Sequence, residues 1–190
     1  ESGIRAWAAE PGEYYHSFDG SYGGLWRRNG RPPQLLAGVG FSAQGKFEGS
    51  YYRRTAESHA PDLAWMFEGI EDQEILGDFG FSGGGAAGFE LDRADVRLGT
   101  PEEVRVVASS ENHTSSFVLV PEEMLTHITN WPGEEEQQKL IRSDIVYFRT
   151  PSGGEVFSTG SITFCGSLPW NDFDNNISRL LENVIRRFLQ

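Results

Sequence analysis

The residues best suited by type to do chemistry lie in one short run, Phe79 to Asp95, which reads FGFSGGGAAGFELDRAD. Three consecutive glycines, two alanines and a further glycine let a backbone approach another group closely. Glu90 follows, between Phe89 and Leu91. A carboxylate between apolar neighbours on a tight backbone is a candidate for a raised pKa, and so for general acid or base work. The plainer alternative is that Glu90 caps a turn or pairs with Arg93. Asp92, Arg93 and Asp95 read as a local salt-bridged turn.

Other patterns carry less. Gly83 to Gly88 fits G-x-G-x-x-G, but a dinucleotide loop needs a strand before it and a helix after it, and no βαβ unit is visible. Asp78-Phe79-Gly80 matches a kinase tripeptide without the other kinase motifs, and no G-x-S-x-G elbow occurs. His16, His59, His113 and His127 show no metal-ligand spacing, and read as surface or satisfied core histidines. Tyr14-Tyr15 and Tyr51-Tyr52 could bind ferric iron as phenolates, but paired tyrosines serve mainly as packing residues with a wet tip. Cys165, the single cysteine, lies in the apolar run Ile-Thr-Phe-Cys-Gly and is expected to be a buried, inert thiol.

Composition narrows the classes. Sixteen basic against 28 acidic residues give a net charge of −12, which disfavours nucleic-acid phosphates as partners. Apolar residues at 38% and aromatics at 13% point to an ordered domain with a core. No apolar run has the ~20 residues of a membrane helix, and the start carries no signal-peptide pattern. One cysteine leaves no internal disulfide, and the expected compartment is the cytoplasm. The first methionine is Met66, well inside the sequence, as expected of a processed or trimmed piece of a larger protein.

The elements that must position Glu90 divide into two subregions of a single unit, 1–190. Residues 1–88 form a glycine- and aromatic-rich layer, expected to make turns and short strands packed on something else. Residues 89–190 are more regular. Strands are expected over 103–108 and 116–120, a short helix opens at Pro121, and 130–138 reads as a solvated loop with a Glu run. Asp144–Arg149 and Glu155–Thr159 read as a hairpin around Pro151-Ser-Gly-Gly, with Ser161–Phe164 continuing the second arm. Asn175 or Asn176 caps a final amphipathic helix whose apolar face is Ile177, Leu180, Leu181, Val184, Ile185 and Phe188. The fold class is α/β in the broad sense, a mixed α+β arrangement.

The runs GGLWRRNGRPPQLLAGVGFSAQG (23–45), WMFEG (65–69), GDFGFSGGGAAGFELDRAD (77–95), LGTP (98–101) and FSTGSITFCGSLPWNDFDNNISRLLENVIRRF (157–188) resemble the C-terminal region of the N,N-dimethylformamidase large (beta) subunit family. The likeness covers essentially the whole chain. It implies a C-terminal segment completing a glutamine-amidotransferase-like α/β core. It also implies a mononuclear Fe(III) held by two tyrosines and a glutamate. The family's His-Pro-Glu-Tyr and Gly-Gly-Asn-Gly motifs do not occur here, so those ligands are expected upstream of Glu1, and none is assigned to Tyr14, Tyr15, Tyr51 or Tyr52. The one catalytic residue the resemblance places on this chain is Glu90.

The implied reaction is hydrolysis of a small N-substituted amide to a carboxylate and an amine, with iron as Lewis acid and Glu90 as acid or base. The partners it implies are the upstream part of the same large subunit, a small accessory subunit, a homo-oligomer and a small-molecule amide; no nucleic acid and no membrane is expected. The rival reading is a non-catalytic structural or carbohydrate-binding module of a larger assembly.

Overall fold

The computed structural model describes residue 27 and residues 30–120 and 133–190. The glycine-rich segment, expected to yield only turns and short strands, carries a fifteen-residue strand, β1 (Gly40–Arg54). It is followed by β2 (Ala87–Arg93), β3 (Arg105–Glu111), β4 (Val118–Leu119), β5 (Asp144–Arg149) and β6 (Glu155–Ser158). All pairings are antiparallel, in the order β2-β1-β3-β5-β6, with β4 also on β1.

β1 can be long because its glycines let it cross closely over the 83–88 loop. A Cβ on Gly49 would lie 2.5 Å from the Gly85 carbonyl oxygen, and one on Gly88 would collide with the Glu48 carbonyl. Here the β1–β2 ladder breaks register. Gln44 pairs with Glu90 and Gly49 with Gly88, so residues 45–48 stand against Phe89 alone. The result is a wide bulge beside Glu90.

Helices cover this sheet, giving a mixed α+β fold. They are α1 (Pro33–Ala37), α2 (Glu134–Leu140), α3 (Phe164–Ser167) and α4 (Asn176–Phe188). The main core gathers Tyr52, Leu76, Val107, Ile145 and Phe164 with Leu63 and Met66 of the 3-10 turn Pro61–Phe67. α4 adds Ile177, Leu180 and Val184 to it. Asn175 is the N-cap, accepting from the Ser178 N–H at 2.9 Å. The far end of the expected apolar face is uncovered. Ile185 and Phe188 are exposed.

Several expectations are corrected. Residues 134–140 form a helix rather than a loop, with the expected exposed Glu run: Glu134, Glu135 and Glu136 occupy its first turn, where the macrodipole favours anions, and Leu140 is buried at its end. The strand expected over 116–120 is reduced to Val118–Leu119. The hairpin's second arm ends at Ser158 because Gly160 turns left-handed (φ 69°), and Ser161 makes only an isolated bridge to Leu91. The chain then winds into α3, which turns Phe164 and Ser167 inward. That winding leaves Cys165 exposed rather than buried. The helix expected at Pro121 lies outside the described residues. No helix among the described residues is long and apolar enough to cross a membrane.

Candidate functional site

Glu90 lies on β2 and lines a groove of about 430 Å³ with Asp92, Ala37, Val39 and the 157–162 segment. It is half-buried. Glu90 and Asp92 are two residues apart on one strand and so share a face. Arg93 points the other way. It is fully buried, donating to the Leu140 carbonyl at 2.7 Å and to Asp95 at 3.0 Å. The expected ionic turn therefore consists of Arg93, Asp95 and Arg97, and Asp92 belongs to the groove. Burial opposes ionisation of Asp95, but hydrogen bonds from Arg97 and Arg93 hold its carboxyl below the usual range.

The backbone leading into Glu90 is strained. Phe89 has φ 60°, a left-handed conformation that costs a bulky residue on the order of 1–3 kcal/mol. Its ring meets Phe47 of the β1 bulge, centroid to centroid at 5.6 Å. Strain of this kind persists only where the surroundings fix it. The fixing contacts come from the turn after β6. The Gly88 N–H donates to Ser161 Oγ at 2.9 Å, and Ser161 Oγ lies 2.9 Å from the Gly88 carbonyl. The Asp92 N–H donates to the Gly160 carbonyl at 2.7 Å.

Behind the groove, the buried Tyr52 hydroxyl donates to the Thr159 carbonyl at 2.8 Å and lies 2.9 Å from Ser143 Oγ. Burial pushes this phenol far up, against the hydrogen bonds from Ser143 and Ser161. Such a phenol stays protonated and does not suit ferric iron. Tyr14 and Tyr15 lie outside the described residues. Among those described, no group of three or more histidines, cysteines or carboxylates could hold a metal. The glycine run leads into a strand rather than a helix, so it has no helix N-terminus to offer a pyrophosphate.

A second groove, of about 580 Å³, contains His113. His113 Nε2 lies 2.7 Å from Ser110 Oγ, which resembles a nucleophile–base pair. The pair lacks the third group that would orient the ring, since Nδ1 is buried without a partner. Ser110 is buried and its oxygen accepts the Ser143 N–H at 2.7 Å, so it serves the fold. Burial pushes the His113 imidazole down to about 4, with Glu48 working against the shift. His59 stands 3.5 Å from Asp72 at the surface, and His16 and His127 lie outside the described residues.

Two groove residues were read from the sequence in other roles: Asp92 as part of a salt-bridged turn and Ser161 as part of a strand. The left-handed Gly160, within Ser-Thr-Gly-Ser, was the available signal that the chain turns back there.

Residues 1–176 match the family described as N,N-dimethylformamidase beta subunit-like, C-terminal. The chain is 40% identical over all 190 residues to the N,N-dimethylformamidase beta subunits of an Alcaligenes species and of Paracoccus aminophilus. It spans about a quarter of their length, 25% in each case.

Proposed function

The chain belongs to the family of N,N-dimethylformamidase beta subunit-like C-terminal regions, and on that premise we propose that it forms part of the large subunit of an amide hydrolase, with Glu90 as the acid–base group. The substrate is a small N-substituted amide, cleaved by water at the C–N bond to a carboxylate and an amine. The observation that carries this reading is the setting of Glu90: a half-buried carboxylate at the head of a groove, behind a left-handed phenylalanine and beside a bulge. Bulges and strain of this kind collect where a side chain must be aimed.

Glu90 takes a proton from the attacking water, and its protonated form returns that proton to the departing nitrogen. The glycine-lined strand crossing and the Ser161 contacts hold the carboxylate in place while Ala37 and Val39 supply an apolar wall. Iron held elsewhere in the large subunit would supply Lewis acidity toward the amide carbonyl. The described residues do not suit its ligation, so its ligands belong to residues outside them. The rest of the large subunit, a small accessory subunit and further copies are the partners the reading calls for, in the cytoplasm.

A second reading, a carbohydrate-binding or structural module, has one feature in its favour. Phe79 stacks on Trp170 at 5.9 Å, and Phe81 packs there too while remaining 70% exposed. The two readings separate in one pair of measurements. The complete protein carrying this sequence should release amine from N,N-dimethylformamide. Sugar binding by the 190-residue chain, with no amide hydrolysis by the complete protein, would favour the module.

A further inference from the structure

β2 is an edge strand, and its ladder with β1 is interrupted at the residue before Glu90. On the β1 side Phe89 has no register partner, since Gln44 pairs with Glu90 and Gly49 with Gly88. On its open side β2 is met by the 160–161 turn alone among the described strands and turns that bond to it. The Asp92 N–H bonds the Gly160 carbonyl, and Leu91 bridges to Ser161. One step further along, the partner is a side chain. Ser161 Oγ accepts the Gly88 N–H and lies within bonding distance of the Gly88 carbonyl, both at 2.9 Å.

We propose that Ser161 is a positioning residue for Glu90: its hydroxyl grips both polar groups of Gly88 and so holds Phe89 left-handed and the Glu90 carboxylate toward the groove. The inference rests on the reading of Glu90 as the acid–base group. The grip is itself anchored. Gly160 turns at φ 69° against the Asp144 backbone, so close that a Cβ there would collide with the Asp144 carbonyl. Asp144 is buried and bonded to the Ala94 N–H, Ser109 Oγ and Arg142 Nε. The turn that carries Ser161 is thus packed on β5, an inner strand of the sheet, and Ser161 transmits that rigidity to a strand edge that lacks a regular partner. Two other side chains meet the Ser161 hydroxyl: Thr163 Oγ1, 3.3 Å away, and the buried Tyr52 phenol.

The test uses the complete protein with N,N-dimethylformamide as substrate. Ser161→Ala should lower kcat on the order of 10²-fold, the scale of a displacement of about 1 Å at a reacting group. KM should change far less, because the hydroxyl removed is engaged with the Gly88 backbone. Ser161→Thr keeps the hydroxyl and should restore most of kcat. In a Glu90→Gln background, Ser161→Ala should add no further loss, whereas a purely structural role would add its full cost. A normal kcat for Ser161→Ala, with turnover abolished in Glu90→Gln, overturns the inference and leaves the Glu90 reading intact. Normal turnover in Glu90→Gln overturns both. If Ser161→Ala does not fold, Phe89→Gly serves in its place: glycine is at ease left-handed but frees the peptide to swing. An unchanged kcat in that variant also overturns the inference.

Discussion

Mild acid should destabilise this chain through one imidazole. Folded, His113 takes its proton only near pH 4; unfolded, at the ordinary value of 6.5. Between those values the unfolded chain binds the proton and the folded chain does not, so stability is intact above pH 6.5 and falls as pH drops toward 4. A full separation of this size is worth about 3 kcal/mol at 1.36 kcal/mol per pH unit. Stepping from pH 7 to pH 4.5 traverses most of that window and should remove about 2 kcal/mol. The cause is burial of the ring against Phe117, at 4.7 Å between centroids, with Nδ1 lacking any acceptor that could receive a second proton's bond. Denaturant midpoints at the two pH values, for the parent and for His113→Gln, isolate the contribution. Carboxylates that titrate in the same range affect both proteins alike, so the parent should lose about 2 kcal/mol more than the variant. Equal losses would refute the assignment of a neutral, desolvated His113.

Two further substitutions test the frame around the groove. Gly88→Ala should cost about 1–3 kcal/mol and lower turnover, because the new methyl meets the Glu48 carbonyl and pries β1 from β2; thermal melting of the variant checks it. Asn175→Ala should cost about 1–2 kcal/mol by removing the cap of α4, and it also strips the bonds from Asn175 Nδ2 to the Leu168 and Trp170 carbonyls; denaturant unfolding reads the loss, with amide hydrolysis by the complete protein little changed.

What the sequence discloses here follows the range of the interactions. The hairpin of β5 and β6 is written in adjacent residues, and so is α4, whose period of 3.6 and asparagine cap are local. Glu90 stands out because its apolar neighbours and the glycines before it are contiguous. The bulge is not legible, since residues 45–48 and Phe89 become opposed only when two distant segments pair. Ser161 is silent for the same reason: it acts on Gly88, 73 residues earlier. Cys165 shows the limit of local apolarity as a guide. Its neighbours are apolar, but one helical turn sends Phe164 inward and the thiol outward.

The account stands or falls on Glu90. Replacing it with glutamine in the complete protein keeps the side chain's size and removes its capacity to take and return a proton. The predicted result is a fall in kcat of roughly 10²–10⁴-fold for N,N-dimethylformamide, with the metal content and thermal midpoint of the parent protein retained. Turnover within a few-fold of the parent enzyme would contradict it.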